Sequence, residues 1–234
     1  GHEPIIEMQL GPVRYAFTAK AAAAARGFQH RLFVRETGFG CSWQAGEPIQ
    51  QLYAAMAKDE ARNAAVLDDA IGALEASRSP LLLTERRDHL EFFVEKLRPM
   101  TRHLVALHGG LSPKERREAL QRLAEIPASE ERLVVATGRY VGEGFDDPRL
   151  DTLILALPVA WKGTVVQYAG RLHRKQAGKS EVRVHDYRDS KVPVLVRMLE
   201  KRLRAYRSMG YEEEDVEAVT AADGPVVEYE EGDV

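Results

Sequence analysis

Leu133-Val134-Val135-Ala136-Thr137-Gly138-Arg139-Tyr140-Val141-Gly142-Glu143-Gly144-Phe145-Asp146 opens as a short apolar run and closes as a glycine-rich loop carrying a threonine and an aspartate. A short apolar run bounded by turn residues is the pattern of a strand buried on both faces. In a parallel sheet, ligands bind outside the carboxyl ends of the strands, so this loop lies where a site belongs. Its glycines allow positive φ and a close backbone approach by a ligand. A plain turn between strands has the same composition, so the stretch alone leaves both readings open.

The same alternation extends in both directions. Residues 81–83, 104–107, 133–136, 152–155 and 182–184 read as strands, and 88–97, 113–124 and 164–172 as the helices between them. Strands alternating with helix-period segments predict βαβ units and a mainly parallel sheet flanked by helices. Ser112-Pro113-Lys114-Glu115 marks one helix start: Ser and Glu at this spacing form a capping box, and Pro suits the first helical position. Residues 192–209 read as a closing helix studded with Arg and Lys and ended by Gly210. Upstream, 49–74 reads as one helix with Ala64, Leu67, Ile71 and Leu74 on its apolar stripe, and 5–10 and 14–18 as strands.

Composition bounds the function. The chain has 234 residues, 44% hydrophobic and 29% charged, with a single cysteine, Cys41. An intramolecular disulfide framework is therefore excluded, and with no signal peptide or membrane-length apolar run the expected location is cytoplasmic, with no membrane partner. The net charge of −3 hides a division. Residues 211–234 hold ten acidic residues and no Lys or Arg, leaving 33 basic against 26 acidic residues in the remainder, a net +7. Such a body can meet a polyanion, and the tail reads as disordered or as a self-masking segment. The expected organisation is a connector over 1–47, an α/β domain over 48–210 and an acidic tail over 211–234.

Gln167-Tyr168-Ala169-Gly170-Arg171-Leu172-His173-Arg174 is the second chemically loaded stretch. Two arginines three apart share a helical face, and their forked guanidinium groups suit one phosphate chain. Gly170 inside a helical run costs about 1 kcal/mol and marks a close approach.

With both stretches present in this order, the sequence resembles the C-terminal RecA-like domain of superfamily 2 helicases and translocases over about residues 75–190. Ser79-Pro80-Leu81-Leu82-Leu83-Thr84-Glu85-Arg86 looks like motif IV, Leu107-His108-Gly109-Gly110-Leu111 resembles the loop after the next strand, 135–146 is similar to motif V, and Gln167–Arg174 matches the Gln-x-x-Gly-Arg-x-x-Arg pattern of motif VI. The form of these motifs looks closer to the XPB-like and restriction-translocase branch than to the DEAD-box one.

The resemblance implies a three-layer RecA-like fold and a motor lobe that works with ATP and Mg2+. It implies Arg171 and Arg174 as catalytic arginine fingers, and Gly144, Asp146, Gln167 and Gly170 at the nucleotide, with Asp146 near the ribose. It further implies Arg86, His108, Gly109, Thr137 and Gly138 on the backbone of a DNA or RNA strand, with DNA preferred. Tyr140 is the aromatic expected nearest to nucleotide or nucleic acid. The phosphate-cradling Gly-x-x-x-x-Gly-Lys-Ser/Thr loop and the acidic box are missing, since Gly178-Lys179-Ser180 has His173 where the first glycine belongs. The implied partner is therefore an N-terminal RecA-like lobe of the same polypeptide. The competing reading is a non-catalytic RecA-like module that binds nucleic acid or protein and is regulated by its acidic tail.

Other singular residues favour structural roles. His30, His89, His103 and His185 lack metal-ligand spacing, so no metal site is expected. Trp43 and Trp161 read as core or loop anchors rather than base-stacking platforms.

Overall fold

Three strands are apolar at almost every position, and they form the middle of the sheet. The computed structural model describes residues 27–138, 147–159 and 162–214, with only the backbone at 162–164. In chain order its elements are β1 (Gln29–Glu36), α1 (Ile49–Lys58), α2 (Glu60–Glu75), β2 (Pro80–Thr84), α3 (Arg87–Leu97), β3 (Leu104–Leu107), α4 (Pro113–Glu125), β4 (Leu133–Thr137), β5 (Thr152–Leu155), α5 (Lys162–Leu172), β6 (Glu181–Arg188), α6 (Pro193–Ser208) and β7 (Glu212–Glu214). The described strands form one seven-stranded sheet in the order β3-β4-β2-β5-β6-β1-β7, and every pairing is parallel.

Register explains the layers. On β2, Leu82 lies opposite Val135 of β4 and Ile154 of β5. These three residues face one side with Val66, Ala70 and Leu74 of α2 and Leu90, Phe93 and Leu97 of α3. One residue on, Leu81 and Leu83 face the other side, where Leu123 of α4, Val165 and Leu172 of α5 and Leu199 of α6 pack. The period of two along each strand thus produces a helix layer on each face. Each Leu or Val buried this way contributes about 1.5–3 kcal/mol.

The strands and helices expected between residues 81 and 209 are all present, within a few residues of the expected bounds. At Ser112 the capping box forms as expected: Ser112 Oγ accepts from the Glu115 N–H, and Glu115 Oε2 accepts from the Ser112 N–H at 2.7 Å. None of the described helices is long and apolar enough to cross a membrane.

Two features differ from expectation. The helix expected over 49–74 is two helices, broken at Asp59, whose backbone is extended and whose carboxylate accepts the Arg62 N–H at 2.8 Å. An aspartate that caps a new helix ends the preceding one more effectively than apolar periodicity prolongs it. The buried stripe of α2 is Arg62, Asn63, Val66, Ala70, Ala73 and Leu74, whereas Ala64 is exposed and Leu67 and Ile71 are half-buried. The sheet also extends beyond 48–210. Strand β1 pairs with β6 from Gln29↔Glu181 to Glu36↔Arg188, inside the stretch read as a connector, and β7 pairs with β1 at the start of the stretch read as a tail. The strands expected at 5–10 and 14–18 lie outside the described residues.

Candidate functional site

Because the sheet is parallel, every strand delivers its outgoing loop to the same edge. Thr84 of β2 pairs with Thr137 of β4, and Leu107 of β3 pairs with Ala136, so the three strands end side by side. Arg86, His108–Gly109 and Thr137–Gly138 are brought together on this edge.

Gly138 is where the loop meets the motif VI helix. It is buried, and a Cβ built on it would collide with the Tyr168 hydroxyl of α5 and the Glu85 carboxylate after β2. A larger residue there requires both polar side chains to shift. Glu85 is an exposed residue whose carboxyl leans into this junction, and the lost hydration raises its pKa. Burial likewise raises the Tyr168 hydroxyl, with a further push from the Glu85 charge. On the other side, Tyr53 of α1 donates its hydroxyl to the Pro158 carbonyl at 2.8 Å, and its pKa is pushed up to about 12 by burial and by Glu85.

Arg86 is half-buried and engages Asp88 with both arms, Nε to Oδ1 at 3.0 Å and Nη2 to Oδ2 at 2.6 Å. This pairing holds the Asp88 carboxyl below its usual range. His108 accepts the Gly110 N–H on Nδ1 at 3.0 Å, which places its ring proton on Nε2. Partial burial, with the Arg87 charge, lowers its pKa and favours this neutral form. At Gly110 a Cβ would press against the Arg87 guanidinium, so the second glycine of the pair lets Arg87 lie across the loop.

Beneath the loops lies a polar network. His89 is 1% exposed, with Nδ1 2.9 Å from Thr84 Oγ1 and Nε2 2.9 Å from Asn63 Oδ1, and Asn63 donates to the Ala57 carbonyl. Burial and the Arg62 charge lower its pKa to about 3, so the imidazole is neutral. Arg62, also buried, donates to Asp189 at 2.9 Å and to the Ala156 carbonyl, fixing the chain as it leaves β5 toward α5. Among the described residues no cluster of His, Cys, Asp and Glu could hold a metal ion.

The motif VI residues differ in detail from the sequence expectation. Gln167 is exposed, Arg171 half-buried and Arg174 exposed. Helix α5 ends at Leu172, so Arg171 belongs to its last turn and Arg174 to the bend that follows; the pair does not share one helical face. The His173 N–H closes this bend on the Gly170 carbonyl at 3.2 Å. Gly170 makes no close approach within the described chain either, because a Cβ there would meet nothing within 4 Å. Its space is open. Gly144, Asp146, Tyr140 and Trp161 lie outside the described residues. Sequence reasoning missed Glu85 and Tyr168, which acquire meaning only through Gly138, and dismissed Lys179, whose Nζ reaches two carbonyls at the end of α5.

Comparison with known proteins bears on this geometry. Residues 63–176 match the helicase conserved C-terminal domain. Protein 108L of Invertebrate iridescent virus 3, itself uncharacterised, is 34% identical over 83 residues, covering 36% of this chain and 75% of that protein. Among solved structures, T4 UvsW superposes with a TM-score of 0.60 at 15% identity over 81% of this chain and 41% of UvsW. The ATP-dependent Type ISP restriction-modification enzyme LlaBIII, solved bound to DNA, has a TM-score of 0.57 at 18% identity over 87% of this chain and 15% of the enzyme. The E. coli DEAD-box protein SrmB, bound to the regulator RraA, has a TM-score of 0.52 at 14% identity over 82% of this chain and 93% of the SrmB chain. The chain thus spans well under half of UvsW and LlaBIII. The all-parallel sheet and the match over 63–176 agree: these residues carry the helicase conserved C-terminal domain, on a RecA-like fold.

Proposed function

We propose that this chain is the C-terminal motor lobe of an ATP-dependent helicase or translocase that acts on DNA. One observation carries the reading. The Tyr168 hydroxyl of α5 lies against Gly138 at the end of β4, so the helix that carries Arg171 packs on the carboxyl edge of the sheet where the glycine-rich stretch begins.

The residues present suit one side of a nucleotide site. No described atom lies within 4 Å of a Cβ built on Gly170, Gln167 is exposed, and Arg171 and Arg174 are the phosphate-matching side chains at that point. ATP, with Mg2+, would supply a phosphoanhydride bond, held jointly with an N-terminal lobe bearing the phosphate-cradling loop. Arg171 and Arg174 would offset charge developing on the γ-phosphate, with Gly144 and Asp146 toward the ribose. Arg86, His108, Gly109, Thr137 and Gly138 would grip the phosphodiester backbone through charge, hydroxyl and backbone N–H groups, without reading bases. Arg86 would exchange its Asp88 partner for a phosphate in doing so. The basic body outside residues 211–234 favours a polyanion, and the LlaBIII structure, which contains DNA, favours DNA over RNA.

The test is steady-state ATP hydrolysis by the full-length protein with DNA or RNA present. Arg171→Ala or Arg174→Ala is expected to lower kcat by about 10³-fold or more while ATP affinity changes little. Equal losses in kcat and affinity would remove the finger roles, and stimulation by RNA alone would reassign the substrate.

A further inference from the structure

Lys179 resembles a fragment of a phosphate-binding loop in sequence, yet its side chain faces inward. Its Nζ lies 3.1 Å from the Leu172 carbonyl oxygen and 2.9 Å from that of Arg174, at the end of α5. It also lies 2.7 Å from the carbonyl of Pro148 and 2.8 Å from that of Leu150, in the turn leading to β5. The last carbonyls of a helix have no intrahelical partner, and a cation there also complements the helix dipole. An ammonium has three N–H donors, so four carbonyls are held by its charge as well as by individual hydrogen bonds.

The anchor on the other side is itself fixed. Asp147 is buried against Arg132 at 2.7 Å, and Arg149 donates to the carbonyls of Ile126 and Pro127. Gly178, at φ +82°, supplies the left-handed residue that turns the chain back so Lys179 reaches under the helix end. One of the four acceptors belongs to Arg174, and Arg171 directly precedes Leu172. The ammonium therefore acts on the backbone from which both guanidinium groups project.

We propose that Lys179 is a positioning residue for the Arg171–Arg174 pair, fixing the carbonyl end of α5 and the bend after it against the 147–150 turn and so setting the direction in which both guanidinium groups project. The proposal rests on the finger roles given above. Burial pushes Lys179 down to about 8 against the pull of Asp151 and Asp147, with Arg78 and Arg132 adding to the shift, so the ammonium that reaches the four carbonyls is still charged at neutral pH.

The test compares Lys179→Met, Lys179→Arg and Arg35→Met in the full-length protein, reading ATP hydrolysis and thermal unfolding. Lys179→Met is expected to lower kcat by about 10- to 100-fold with the KM for ATP within about twofold, since misplacement alone costs this much. Lys179→Arg recovers most of the rate, and its alkaline loss of kcat moves above pH 8. Lys179→Met adds no further loss to Arg174→Ala, because both act on one unit. An unchanged kcat in Lys179→Met beside an inactive Arg174→Ala would overturn the proposal. So would an equal kcat loss in Arg35→Met at a matched drop in melting temperature, since Arg35 holds Ala65 and Asp69 of α2, away from α5. If Arg171→Ala and Arg174→Ala keep full turnover, the finger reading fails and the positioning role falls with it.

Discussion

Gly138 and Tyr168, thirty residues apart in sequence, are packed so closely that a Cβ at position 138 would have to displace the Tyr168 hydroxyl. The end of β4 at Gly138 and the helix bearing Arg171 are therefore packed together, with the Glu85 carboxylate at the same point.

Gly138→Ala must displace the Tyr168 hydroxyl and the Glu85 carboxylate together. Overpacking of this kind costs about 1–3 kcal/mol. The expected result is a lower urea midpoint with an unchanged denaturant slope, and partial recovery in Gly138→Ala/Tyr168→Phe, which removes one of the two colliding groups. No recovery in the double variant would show that Tyr168 is not the obstacle.

Arg202 on α6 grips the Asp186 carboxylate on β6 with two hydrogen bonds of 2.7 and 2.9 Å, and the Tyr206 hydroxyl donates a third at 3.0 Å. Arg202 is 3% exposed and Asp186 1%. Removing the cation alone leaves a buried carboxylate, so Arg202→Met is expected to cost about 3–5 kcal/mol by denaturant unfolding. Arg202→Met/Asp186→Asn, which removes both charges, should lose clearly less. Equal losses would argue against a buried unpaired charge as the cause.

Stability should fall with acid. His89 titrates at about 3 and His185 at about 4 in the folded chain, both lowered first by burial, against 6.5 for an ordinary histidine. Below 6.5 the unfolded chain takes up protons that these two rings refuse. Stability is therefore complete above about pH 6.5 and is lost as pH falls toward 4 and then 3, at about 1.4 kcal/mol per pH unit for each ring. Unfolding free energies at pH 7, 6, 5 and 4 measure this slope, and His89→Gln should reduce it by one ring's share. An unchanged slope in that variant would assign the acid sensitivity elsewhere.

The central strands were legible because each is a short apolar run between turn residues, and α4 because Ser112, Pro113 and Glu115 are local signals acting within four residues. Periodicity failed at Asp59, where a cap outweighed the apolar stripe, and at β1, whose mixed sequence becomes a strand only because β6 and β7 flank it. The site divides in the same way. Arg171, Arg174 and Gly138 could be singled out from motif spacing, whereas the hold that Lys179 has on α5 could not, since one of its four acceptors lies 31 residues back along the chain.

The sequence by itself determined the order of strands and helices, the motif residues and the family they resemble, because each depends on residue types within a short span. Tertiary structure alone decided that β1 and β7 complete the sheet, that Gly138 shares its space with Glu85 and Tyr168, and that Lys179 turns inward to the end of α5. Those outcomes depend on which carbonyls and side chains remain unpaired once the sheet has closed, and no local pattern encodes that.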